Sequence, residues 1–303
     1  MADISKMLSA YSEHLKLIRE LKITEREDEY ICPICLHGYK KSEIVQLSLE
    51  DVPQAALGGK KIAITCKECN NTCGNSIDFH LVNHIDSIEQ EMFLPGSDRK
   101  VTIKSLGEGK SANALLKVNN QNDMNLFVHE NYFKSPYHRE HLEKLKENTM
   151  ITLQNEKKKL DSRLISTAII KNAYLILFSK FGYTFLLDDY YNTLRSNLLK
   201  SNLKNSILGM WSLSKELPID DGIYLSGNDR YRGFFVAYTI TKIQSYRIVV
   251  YIPIPSVDFK SAINAIRNAE DDGGLDLIGY DCSNLLWDKN KIKFIHNWVY
   301  SKA

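Results

Sequence analysis

Apolar residues recur with a helical period near the start of the chain, at Ile4, Met7, Leu8, Tyr11, Leu15, Ile18 and Leu21. The spacing predicts an amphipathic helix over residues 4 to 22, packed on the body of the protein or on a partner. A charged connector follows, and strand-like runs are expected over 44 to 49 and 62 to 65, on either side of a loop carrying Gly58-Gly59. A helix is expected over 75 to 90. Beyond Phe93 the pattern changes, with Leu94-Pro95-Gly96-Ser97 marking a turn. Short strands are expected over 100 to 106, 114 to 118, 125 to 129 and 150 to 154, with a charged helix over 136 to 147. A long apolar helix over 161 to 181 ends at Gly182, and another helix is expected over 188 to 200. Two strong strands, 233 to 241 and 246 to 254, read as a hairpin, followed by a helix over 258 to 269 and closing strands.

This mixture defines an α+β protein with three parts. Residues 1 to 28 hold the N-terminal helix and connector, 29 to 92 a small cysteine-bearing module, and 93 to 303 a larger mixed α+β domain. No internal repeat or low-complexity tract interrupts the pattern. The 44% hydrophobic and 25% charged fractions are ordinary for a folded chain of 303 residues. A net charge of +2 is too small for nucleic-acid binding by bulk charge, so any such contact must use local patches. The long apolar helix carries Ser166, Lys171 and Asn172 and is too polar to span a bilayer, so no membrane partner is expected. The first residues lack the features of a signal peptide, which points to a reducing, cytoplasmic setting.

Four of the six cysteines form two pairs, Cys32-Pro33-Ile34-Cys35 and Cys66-Lys67-Glu68-Cys69. Two such pairs can close one tetrahedral thiolate site, and structural zinc is the expected occupant. A secreted disulfide framework is the competing reading, disfavoured by the expected reducing compartment. Cys73 and Cys282 are left over and default to free buried thiols. A module this small has little core of its own, so the metal should supply much of its folding free energy.

Around the cysteines lie Leu49-Glu50-Asp51-Val52-Pro53, Gly58-Gly59, Asn70-Asn71 and Gly74-Asn75-Ser76-Ile77-Asp78. In order and spacing this stretch resembles the HNH endonuclease family, in its zinc-ribbon-bearing branch, over about a fifth of the chain. The resemblance implies a zinc-bound ββα-metal module that holds a divalent ion, Mg or Mn, against a scissile phosphate. It places Glu50 and Asp78 as carboxylate ligands of that ion and Asn70 as the residue that positions the base-bearing loop. Two carboxylates suit the hard-oxygen preference of Mg²⁺. One position departs: where the family has its general-base His, this chain has Asp51. A carboxylate with an unperturbed pKa of about 3.9 is a weaker base than imidazole unless burial raises it. Asp51 therefore has three readings, as substitute base, extra metal ligand or the mark of an inactive module.

Other residues offer partial candidates for the same chemistry. His80 and His84 share a helix face at i,i+4 spacing and His37 follows the first cysteine pair, but none is chosen over a plain polar surface. Lys60 and Lys61, after the Gly-Gly loop, are candidate phosphate contacts. The resemblance thus implies a metal-dependent endonuclease acting on nucleic acid, DNA above all, in a bacterial or phage-defence setting. The alternative is an inactive HNH-like zinc module that binds nucleic acid or protein. A protein partner is open to the N-terminal helix or the C-terminal domain.

Overall fold

The computed structural model describes residues 3–104, 111–128, 152–155, 160–199, 209–214, 218–271 and 274–301. The chain divides into two compact units, one combining Met1–Val82 with Asp161–Ala303 and the other formed by Asn83–Leu160. The cysteine module therefore does not stand apart from the C-terminal segment, as the expected boundary after residue 92 had it. The reason is a shared core, built as follows.

In the first unit, α1 (Ile4–Glu20) is N-capped by Asp3, whose side chain accepts the Ser5 N–H at 2.9 Å. Its predicted stripe is covered by its own chain. Leu8, Tyr11, Leu15 and Ile18 are buried, and Tyr11 stacks on Phe178 with ring centroids 4.7 Å apart. The cysteine module comprises a small ribbon, β1 (Tyr30–Ile31) and β2 (Gly38–Tyr39), and a hairpin, β3 (Leu47–Val52) and β4 (Lys60–Cys66). The hairpin leads directly into α2 (Lys67–Cys73), a π-helical turn (Gly74–Asp78) and the start of α3 (Phe79–Glu91), which from Asn83 onward belongs to the second unit. The helix expected over 75 to 90 thus begins several residues earlier, at the second cysteine pair.

The long apolar helix is α4 (Ser162–Phe181), capped by Asp161 through the Arg163 N–H. It is hydrophobic all round because it is covered all round. Among the described residues it is the one helix long and apolar enough to cross a membrane, but 78% of its apolar window is buried inside the fold. On one side Tyr238 donates its hydroxyl to the Ile169 carbonyl at 3.1 Å, and on the other Tyr174 donates to the Pro33 carbonyl at 2.8 Å. A 3₁₀ turn and α5 (Asn192–Leu199) follow. The sheet beside α4 has five antiparallel strands: β9 (Met210–Ser214), β10 (Gly222–Ser226), β11 (Gly233–Thr241), β12 (Ser245–Pro253) and β13 (Leu277–Gly279). Their order is β13-β10-β11-β12-β9. The expected hairpin is β11 with β12, paired without a break from Gly233↔Pro253 to Thr241↔Ser245. Between β12 and β13 lies α6 (Phe259–Asp271). The chain closes differently from the expected strands, with β13 and then a helix, α7 (Lys289–Tyr300), whose Ile292, Ile295 and Val299 are buried.

His14 reports how closely α1 is held. Its Nδ1 lies 2.9 Å from the Leu286 carbonyl, and its ring lies against Gly182, where an added Cβ would come within 2.5 Å of the ring. With φ at +54°, Gly182 also occupies a backbone region that side chains disfavour. Burial pulls the His14 pKa down to about 4, against the opposing pull of the Leu286 and Phe181 carbonyls. The folded state thus holds the imidazole neutral, while the unfolded chain takes up a proton near pH 6.5. The resulting stabilisation is present above pH 6.5 and lost as pH falls toward 4. Urea titrations at pH 7 and pH 4.5 should show the wild type losing roughly 2–3 kcal/mol more than His14→Gln. Equal losses would remove His14 from the account.

In the second unit, β5 (Asp98–Lys104), β6 (Ser111–Val118), β7 (Met124–Val128) and β8 (Thr152–Asn155) form an antiparallel sheet in the order β7-β6-β5-β8. Alternation along β5 and β6 gathers Val101, Ile103, Ala114 and Leu116 into a core with Leu126, Val128 and Leu153. The helix expected over 136 to 147 lies outside the described residues.

Candidate metal centre and the buried carboxylate–lysine cluster

The first cysteine pair sits in the loop between β1 and β2, which pair as Tyr30↔Tyr39 and Ile31↔Gly38. The loop closes on itself: Leu36 N–H donates to the Cys32 carbonyl at 2.9 Å and Cys32 N–H to the His37 carbonyl at 3.0 Å. Buried tyrosines hold it from outside. Tyr183 bonds both the N–H and the carbonyl of Ile31, at 3.0 and 2.8 Å, and Tyr30 donates across to the Ile64 carbonyl. The second pair lies where β4 runs into α2, with Cys66 as the N-cap whose Sγ accepts the Cys69 N–H at 3.4 Å. Cys66 N–H in turn donates to Cys32 Sγ at 3.4 Å, joining the two halves.

The four sulfurs lie within 4.8 Å of one another, and Cys35 Sγ is 3.8 Å from Cys66 Sγ. Zn–S bonds of about 2.3 Å in a tetrahedron imply sulfur–sulfur edges of about 3.8 Å. The cluster can therefore hold a metal ion such as zinc, and its soft, backbone-bonded donors suit a closed structural site. Among the described residues it is the one gathering of three or more His, Cys, Asp or Glu side chains with this geometry. Cys73 does not join it. Its thiol points to the Leu198 carbonyl at 3.5 Å, and burial pushes its pKa up to about 12. Cys282 also lies apart, its thiol on the Tyr280 carbonyl at 3.4 Å.

The same scaffold brings Glu50 and Asp78 together. Glu50 projects inward from β3 and Asp78 from the last position of the π-helical turn. Such a turn shifts the helical register by one residue and is frequent at functional positions. Both carboxylates are buried, at 3% and 7% exposure. The space between them is taken by a side chain from α4: Lys171 Nζ lies 2.7 Å from Glu50 Oε1 and 2.6 Å from Asp78 Oδ2. Lys171 itself is fully buried. The remaining oxygens are served as well. Thr65 donates to Glu50 Oε2 at 3.3 Å and Gln54 to Asp78 Oδ1 at 2.7 Å, with Asn172 facing Gln54 at 3.4–3.5 Å.

Burial alone would pull the Lys171 pKa down, but the charges of Asp78 and Glu50 outweigh it and hold the ammonium protonated. One ammonium cannot fully offset two buried carboxylates. Burial accordingly raises the Glu50 carboxyl above its ordinary range, with Lys171 opposing only in part.

The other expected site residues are arranged differently. Asp51 follows Glu50 across a register shift in the hairpin and is half exposed; neighbouring strand residues point to opposite faces. It stands opposite Lys61 in the ladder, and Lys60 and Lys61 are both exposed. Asn70 donates to Ser48 Oγ at 3.0 Å and reaches the Leu49 carbonyl at 3.5 Å, tying α2 to the first hairpin strand. His80 lies against the neighbouring Phe79 ring and His37 against Tyr39.

Sequence reasoning missed Lys171, Gln54, Asn172 and Thr65. The signal for the first was present, since a Lys-Asn pair in the middle of a twenty-residue apolar helix needs a buried partner. No known protein family, curated protein or solved structure matches this chain.

Proposed function

We propose that the cysteine-centred part of this chain is a zinc-stabilised, non-catalytic HNH-like module, serving as a nucleic-acid- or protein-binding component rather than an endonuclease. The observation that carries this reading is the position of Lys171. A hydrolytic metal needs two carboxylates with open coordination and access to a phosphate. Here the protein's own ammonium is bonded to both carboxylates, and both are buried. The residues present therefore do not fit a catalytic Mg²⁺ or Mn²⁺. Asp51 in the place of the family's His supports the same reading. The zinc centre fixes the knuckles and hairpin, and the exposed surface of the module is left for contacts.

Two measurements test this on the purified full chain. Electron paramagnetic resonance of added Mn²⁺ should show no bound ion below about 1 mM, an affinity floor of about 4 kcal/mol. Plasmid, single-stranded DNA and RNA should remain uncut with Mg²⁺ or Mn²⁺ present. A Mn²⁺ site or a cleavage activity that Asp78→Asn abolishes would restore the endonuclease reading.

A further inference from the structure

An open cleft of about 560 Å³ lies in the first unit, where the β3–β4 hairpin meets β10, β11, the end of α4 and the segment after β13. Its size is in the range of small-ligand sites. The lining is divided. Pro53, Ile176 and Ile223 give it apolar walls, while Lys60 and Lys180 stand at its edge, both exposed. Neither lysine has a carboxylate partner among the described residues.

The acids nearby are already engaged. Asp221 accepts the Thr239 N–H and hydroxyl at 3.2 and 2.8 Å and lies 3.7 Å from Arg247. Asp281 is bound to Lys291 at 2.7 Å. The cleft therefore presents two cations without a carboxylate partner above an apolar floor, with the engaged Asp221 also on its lining.

We propose that this cleft binds a nucleotide, its phosphate on Lys60 and Lys180 and its base on the apolar floor. Two ammonium groups suit a phosphate as point charges, and a flat base suits an apolar wall of this extent. The nucleotide is either free or one unit of a single strand, and the chemistry at the cleft is the same. The proposal stands apart from the Lys171 reading: cleavage activity would overturn that reading and leave this one intact.

The test is calorimetric titration of the zinc-loaded full chain with AMP, inorganic pyrophosphate and a short oligothymidylate, in low salt. AMP or the oligonucleotide should bind with Kd below about 1 mM. The double variant Lys60→Ala/Lys180→Ala should weaken binding about tenfold or more, while Lys16→Ala, on the exposed side of α1, leaves it unchanged. Both lysines are exposed, so melting temperatures should not move. AMP binding identifies a free nucleotide, and oligonucleotide binding with AMP silent identifies a strand. Absence of both, an unchanged affinity in the double variant, or pyrophosphate binding as tightly as the nucleotides would overturn the proposal.

Discussion

Lys171→Met lowers the stability of the first unit by about 3–5 kcal/mol, the range for removing one partner of a buried charge cluster. The expected loss has little to do with volume, since methionine fills most of the space of the lysine stem. It comes from leaving Glu50 and Asp78 side by side, buried, with no cation between them. Thr65 and Gln54 still donate hydrogen bonds, but neutral donors do not cancel two like charges. The diagnostic is the triple variant Lys171→Met/Glu50→Gln/Asp78→Asn. Removing all three charges together should recover most of the loss, because shape-matched neutral replacement of a buried ion cluster is often neutral or better. Urea denaturation of the three forms, with circular dichroism as readout, separates the terms. A single variant within about 1 kcal/mol of wild type would mean that the carboxylates are solvated or protonated.

The second large effect concerns the sulfur cluster. Elemental analysis of freshly purified protein should give one zinc per chain, and Cys66→Ser should lose it. Binding free energy on the order of 10 kcal/mol is at stake in structural zinc sites, so the variant and the chelated wild type should both lose cooperative unfolding of the module. Cys66 does more than offer a sulfur to a metal. It caps α2 and its N–H bonds Cys32 Sγ, so the hairpin, the helix and the first knuckle loosen together. Cys282→Ser, remote from the cluster, should keep full zinc content. A zinc-free wild type with unchanged stability would remove the metal from the account of the fold.

Much of this was legible in the chain. The paired cysteines announced the sulfur cluster that can hold a metal, because ligand spacing is local and chemically specific. The β11–β12 hairpin and the apolar stripe of α1 followed from periodicity. What escaped was whatever depends on residues far apart in sequence. Lys171 reads as a polar flaw in an apolar helix until the fold sets it 93 positions from Asp78 and 121 from Glu50. The short strands β9 and β10 gain their identity from neighbours rather than from their own pattern. The closing helix α7 had a readable start in Asp288, whose side chain caps Asn290 and Lys291, and an apolar spacing at Ile292, Ile295 and Val299. The resemblance named Glu50 and Asp78 as a pair of metal ligands, and it contained nothing about the Lys171 ammonium bonded to both.

The order of synthesis gives that third charge a further meaning. At about 5–20 residues per second, Lys171 follows Asp78 off the ribosome by roughly 5–20 s. For that interval the hairpin and both cysteine pairs exist without α4, and the two acids can only remain in water. The finished core of the module therefore waits on a side chain made after the whole of the second unit, so folding of the first eighty residues is completed by a helix from the middle of the chain.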